Sequence, residues 1–197
     1  MRVPPAPGGN NTADTIKGQV VGIEKWLRHA KGRDLCVQAG GNVGYFPIEL
    51  AKHFKFVHTF EPEHENFECL RYNCQLPNVT LYHAALGEKG SMSGMHIDKQ
   101  NMGAHYLEGD GDIKVKTIDD LALTACDLIA LDVEGYEWQA LKGALGTINN
   151  FQPVIVIEQK GHGRRYGYED KDMEQWLVAL GYRDVEKVFR DHVWVYG

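Results

Sequence analysis

The chain has 197 residues, 43% hydrophobic and 24% charged, an ordinary globular balance with room for one sizeable core. Its formal net charge of −6 at pH 7 disfavours general binding to nucleic acid or to an anionic membrane surface. No stretch approaches the roughly 20 apolar residues of a membrane span.

In chain order, residues 1–15 are rich in Pro, Gly and Asn and lack an apolar signal core. They read as a flexible tail of a cytoplasmic protein, with residues 16–197 forming one domain. Ile16–Ala30 has the pattern of a helix. LCVQA (35–39) is apolar and bounded by glycine, the mark of a buried strand. A helix follows over 45–54, with Pro47 tolerated in its first turn. FVHTF (56–60) is the second strand, 63–75 a helix, and VTLYHAAL (79–86) the third strand. Residues 87–115 are less regular, with short strands at 91–97 and 113–117. DLIALD (127–132) is a buried strand, 136–148 a helix, PVIVIE (153–158) a fifth strand and 172–180 a helix. YRDVEKVF (182–189) and HVWVYG (192–197) form a closing hairpin. The four cysteines, Cys36, Cys69, Cys74 and Cys126, show no paired metal-binding spacing.

Alternating apolar strands and helices predict an α/β domain, a parallel sheet covered on both faces. In such sheets ligands bind beyond the carboxyl ends of the strands. Those ends are polar here: Gln38 on the first, Glu61 on the second, Asp132 and Glu134 on the fourth, Glu158 on the fifth. Gly40 and Gly44 allow a sharp turn after the first strand. Glu61 lies about 20 residues on, the spacing of an acid that accepts hydrogen bonds from ribose hydroxyls. The pattern points to a nucleoside-containing cofactor. The dinucleotide fingerprint fits poorly, because Ala39 stands in its first glycine slot.

Four segments resemble the FkbM family of S-adenosylmethionine-dependent methyltransferases. They are VQAGGNVGYF (37–46), FEPEHENFECLRYN (60–73), AALGEKG (84–90) and LIALDVEGYEWQALKGA (128–144). Asn101-Met102-Gly103 resembles a shorter family element between the third and fourth of these. The Asp-Val-Glu-Gly-x-Glu run discriminates best. The sequence departs from the family pattern at Gln38, where an acid is usual, and at Ala130, where a basic residue is usual.

The resemblance implies a Rossmann-like class I methyltransferase fold: a mostly parallel seven-stranded sheet, a C-terminal antiparallel hairpin, and helices on both faces. It implies S-adenosylmethionine as cofactor and O-methylation of a hydroxyl on a sugar or other small metabolite. Together with position it assigns Gln38, Gly40, Asn42, Gly44, Tyr45, Glu61, Ala84, Ala85, Leu86 and Asp132 to cofactor binding. In that assignment Glu61 takes the ribose diol, and Ala84–Leu86 border the adenine. An alcohol acceptor is helped by a general base, for which Asp132, Glu134, Glu158 and His105 are the candidates, with His162 a further one. Glu137 reads instead as a cap of the following helix. The loop at 159–170 offers His162, Arg164, Arg165 and Tyr166 to a sugar or an anionic group. Asp132, Glu134 and Glu158 could gather around magnesium, but no spacing demands a metal, and none is expected. The expected partner is a small-molecule or glycan substrate. Two other readings compete: a nicotinamide-dependent oxidoreductase, and a non-catalytic cofactor-binding module, for which Gln38 speaks.

Overall fold

A computed structural model describes residues 1–3, 20 and 22–197. Residues 4–15 of the expected tail, and residues 16–19 and 21 of the expected helix at 16–30, lie outside the described residues, while Arg2 of the tail is tied through its backbone to Asn73. The described helix there, α1, is Ile23–Leu27.

Seven strands form the main sheet: β1 (Leu35–Ala39), β2 (Phe56–Phe60), β3 (Val79–Tyr82), β9 (Leu128–Leu131), β10 (Val154–Glu158), β11 (Tyr182–Val188) and β12 (Asp191–Tyr196). Their spatial order is β3-β2-β1-β9-β10-β12-β11. The five strands from β3 to β10 pair in parallel, and β12 runs antiparallel to both its neighbours. This is the mostly parallel sheet with a terminal antiparallel hairpin that the sequence predicts. The order reverses direction at β1, next to β9, so the carboxyl ends of these two strands mark the expected binding crevice.

Residue parity along the strands explains why they are apolar throughout. Val37, Ala39, Ile129, Leu131, Ile155 and Ile157 point into one core, with Ala140, Leu141, Ile148, Met173 and Leu177. Those helix residues come from α4 (Glu137–Lys142), α5 (Leu145–Phe151) and α6 (Asp170–Ala179). Cys36, Leu128, Ala130, Val154 and Val156 point the other way, into a second core with Ile23, Trp26, Leu27 and Leu50. Leu50 belongs to α2 (Tyr45–Leu50). Each strand must therefore be hydrophobic on both faces.

Three elements expected as continuous are broken. The third strand leaves the main sheet at His83 and Ala84. Ala85–Leu86 (β4) instead joins a small sheet with β5 (Ser91–Ser93) and β8 (Ile113–Lys116). The strand expected at 91–97 divides at Gly94 into β5 and β6 (Met95–His96), and β6 pairs with β7 (Tyr106–Leu107). The helix expected at 136–148 stops at Lys142. A Cβ on Gly143 would stand 1.9 Å from the Gly87 carbonyl oxygen, so the two backbones touch there. α5 restarts under a new cap, with Asp119 accepting from the N–H groups of Gly146 and Thr147 at 2.8 Å each.

Candidate active site

A cavity of about 220 Å³ opens at the carboxyl ends of β1, β2, β9 and β10. It has a nucleoside-like end and an acidic end, both built from turns that follow strands.

At the first end, β1 runs into Gly40 (φ +85), Asn42 (φ +46) and Gly44 (φ +105). All three are left-handed, so the chain reverses within five residues. The glycines serve the protein's own packing. A Cβ on Gly40 would meet the Asp132 carbonyl oxygen at 2.1 Å, and one on Gly44 would press on Leu70 at 3.3 Å. Glu61 follows β2 and is 5% exposed. Its Oε2 accepts from the Asn42 N–H at 2.7 Å and its Oε1 from the Glu63 N–H at 2.9 Å. Burial pushes its carboxyl up to about 7 against the pull of those two bonds. Each oxygen keeps a lone pair, and Glu61 lines the cavity.

A roof closes over this end. The Met102 carbonyl accepts from Asn66 Nδ2 at 2.9 Å and from Asn42 Nδ2 at 3.3 Å. The Asn101–Gly103 segment is thereby tied to the glycine loop and to α3 (His64–Asn73). Asn66 is 2% exposed, and its Oδ1 is buried with no hydrogen-bond partner among the described residues, yet the residue lines the cavity. An orphaned buried acceptor at a cavity wall calls for a donor from a ligand or a water.

The acidic end follows β9. Glu134 is held at φ +54, a conformation that persists only when its surroundings impose it. They do so through Glu137, whose Oε1 accepts from the N–H groups of Val133 and Gly135 at 3.1 Å each. The second glutamate of the Asp-Val-Glu-Gly-x-Glu run thus clamps the turn that presents the first glutamate. Tyr168 OH adds a bond to the Gly135 carbonyl at 2.7 Å.

Asp132, Glu134 and Glu158 converge on one cation, the ammonium of Lys160. Its Nζ lies 2.7 Å from Glu134 Oε1 and 3.5 Å from Asp132 Oδ1, and it also contacts Glu158 Oε2. Burial would lower the Lys160 pKa, but the carboxylates of Asp132, Glu158 and Glu134 raise it well above the usual ammonium value. Glu158 is 5% exposed. Burial, with Asp132 alongside, pushes its carboxyl up to about 9, against the pull of Lys160. The three acids offer oxygens within 4.8 Å of one another, a spacing that could suit a divalent cation. Lys160 supplies a tethered positive charge among them.

The cavity is lined by Gly40, Asn42, Glu61, Ala84, Ala85 and Leu86 among the residues assigned to the cofactor, and by Asp132, Glu134, Glu158 and His105 among the base candidates. Gln38, Gly44 and Tyr45 do not line it. Gly44 caps α2 and Tyr45 opens it, while Phe46 reaches the wall. Gln38 has even parity with Cys36 and faces the second core. Its Nε2 donates to the carbonyls of Ala39 at 3.1 Å and Gly40 at 2.9 Å, and its Oε1 accepts from Thr59 Oγ1. It borders only a void of about 20 Å³ beside the main cavity. Its amide is thus committed to the chain.

His162, Arg164, Arg165 and Tyr166 lie in a 3₁₀ turn (His162–Tyr166) and do not line the cavity. Three of them brace its wall from behind. His162 Nδ1 meets Glu134 Oε2 at 2.8 Å, Arg165 stacks over the Tyr106 ring at 4.1 Å, and Tyr166 OH donates to the Leu107 carbonyl at 2.9 Å. Arg164 is exposed beside Glu169. Sequence reasoning leaves out Phe46, Asn66, Tyr106 and Arg190 as lining residues, and gives Lys160 no role of its own.

Comparison with known proteins places the chain among methyltransferases. Residues 37–183 match the family model described as "Methyltransferase FkbM domain". The hexuronic acid methyltransferase AglP of Haloferax volcanii is 25% identical over 192 residues, covering 92% of this chain and 77% of that protein. The crystal structure of methyltransferase FkbM from Methylobacillus flagellatus KT superposes with a TM-score of 0.58 at 18% identity, over 96% of this chain and 56% of that one. This chain therefore spans little more than half the length of that relative. Magnesium protoporphyrin IX methyltransferase (ChlM) from Synechocystis PCC 6803, solved with bound SAM, superposes with a TM-score of 0.54 at 13% identity, over 98% of this chain and 90% of that one. These superpositions show a shared class I fold.

Proposed function

The chain belongs to the FkbM methyltransferase family, and from that premise we propose that it binds S-adenosylmethionine and methylates a hydroxyl oxygen of a sugar or other small metabolite. The observation that carries the reading is the two-ended cavity. A buried, backbone-braced carboxylate at Glu61 suits a ribose diol, and a set of acids beyond it suits an alcohol acceptor. AglP, whose name assigns it a hexuronic acid, supports a sugar as the acceptor.

The cofactor supplies a methyl group activated on a sulfonium, so the chain has mainly to align donor and acceptor. Glu61 accepts from ribose hydroxyls with the lone pairs that Asn42 and Glu63 leave free. Ala84–Leu86 provide a small, apolar wall for the base. Asn66 Oδ1 and the Asn101–Gly103 roof meet the ligand from above and limit water.

Among the acids, Asp132 has the room to take a proton from an acceptor hydroxyl. Glu134 has one oxygen on Lys160 and the other on His162, and Glu158 is buried against Lys160. His105 Nδ1 accepts from the Asp98 N–H, which places its own proton on Nε2 and makes it a donor. Burial lowers its pKa and keeps it neutral. Lys160 lets the three carboxyls share the space.

Incubation with S-adenosylmethionine carrying an isotopically labelled methyl group, over a panel of sugars and sugar acids, tests the reading by mass spectrometry. Label on a sugar oxygen supports it. Labelled product on nitrogen or carbon acceptors alone removes the hydroxyl assignment, and binding of NAD in place of S-adenosylmethionine removes the cofactor.

A further inference from the structure

The turn joining β11 to β12 stands on the rim of the cavity. Asp191 pairs with Glu158 across the sheet, and the Gln159 N–H donates to the Arg190 carbonyl at 3.0 Å. The tip residues Phe189 and Arg190 therefore lie beside the acidic end.

Phe189 is a costly choice for a hairpin. Phe189 is at φ +59 and 64% exposed. Two-residue hairpin loops place Gly, Asn or Asp at left-handed positions, because a bulky side chain is strained there. An aromatic ring in water adds nothing to the fold. Strain and exposure in one residue beside a site point to a role in binding. Arg190 lines the cavity and makes no ion pair among the described residues. The other cationic lining residue, Lys160, is taken up by three carboxyls. Arg190 is thus the lining cation left for an anion on a ligand.

We infer that Phe189 and Arg190 form an acceptor-recognition site for an acidic sugar, the guanidinium pairing with the sugar's carboxylate and the Phe189 ring carrying the apolar face of the sugar ring. This rests on the sugar-acceptor reading above and narrows it to a ring bearing a carboxylate. The acceptor hydroxyl then sits between this site and Asp132.

Calorimetry on protein saturated with S-adenosylhomocysteine, using glucuronic acid and glucose as probes, tests the assignment. Wild type is expected to bind glucuronic acid at least tenfold more tightly than glucose. R190Q should abolish that preference, and F189N should weaken both probes about tenfold. Asn tolerates the left-handed turn, so F189N should melt no lower than wild type, which separates recognition from folding. Loss of S-adenosylhomocysteine affinity in R190Q would place the guanidinium on the cofactor's own carboxylate and overturn the inference. Unchanged glucuronic acid affinity in both variants would overturn it while leaving the sugar reading standing. A wild type that binds neither probe would remove both.

Discussion

The backbone N–H of Asn42 donates to Glu61 Oε2 at 2.7 Å, so the glycine loop after β1 and the acid after β2 form one unit. The loop needs its left-handed residues to aim that N–H, and the carboxylate needs the N–H to stay oriented while buried. A ligand held by Glu61 is therefore held by a preorganised group.

Removing the Glu61 carboxylate should weaken cofactor binding at least tenfold, since each charge-assisted hydrogen bond contributes about 1.5–3 kcal/mol. Titration of S-adenosylhomocysteine into Glu61→Ala measures this. An unchanged affinity would take Glu61 out of the binding site.

Gln38→Glu separates a cofactor role from a structural one. An acid is usual at this position in the family, which predicts tighter cofactor binding. The structure predicts otherwise. The Gln38 amide donates to two carbonyls at 3% exposure, and a carboxylate there would face both with no proton to give. The expected cost is about 1–3 kcal/mol of stability, read by urea denaturation, with cofactor affinity of the folded protein changed less than fivefold. A more stable variant would show that the amide can turn away from those carbonyls.

Lys160→Met should leave Asp132, Glu134 and Glu158 without their shared cation. Breaking a buried ion pair from one side costs about 3–5 kcal/mol. Denaturation at pH 8 should show a loss of that order, together with slower methyl transfer. The loss should shrink at pH 5, where the acids can take up protons. Wild-type stability at both pH values would mean that the acids do not depend on Lys160.

Stability of the ligand-free protein should fall as pH rises from about 5 to 9. Burial raises Glu61, Glu137 and Asp191 to about 7 and Glu158 to about 9. The folded protein holds these protons at pH values where the unfolded chain has shed them. It therefore loses stability as pH passes from the unfolded to the folded values. Lys160, raised as well, keeps its contribution throughout this window and loses it only above. Thermal melts from pH 5 to 9 measure the trend, and Glu158→Gln should flatten its upper half. Melting temperatures that climb over this range would contradict the assignment.

β1, β9 and β10 were legible because each is apolar on both faces, and the turns and acids that punctuate the strand ends located Glu61, Asp132, Glu134 and Glu158. What escaped was decided by partners far away in the chain. Gln38 sits at the right strand end, but its parity turns it toward the second core and Thr59. His162, Arg165 and Tyr166 come from the right loop, but they spend their polar groups on Glu134, Tyr106 and Leu107. Asn66 looks like any polar helix residue until Met102 is seen above it. Lys160 acquires its role only where two strand ends bring three acids together.

A crystal structure with S-adenosylhomocysteine tests the central claim most directly. The account predicts the ribose hydroxyls within hydrogen-bond reach of Glu61, the adenine against Ala84–Leu86, and the sulfur facing the Asp132 and Glu158 end. A ribose held away from Glu61, or a sulfur facing away from that acidic end, would contradict it.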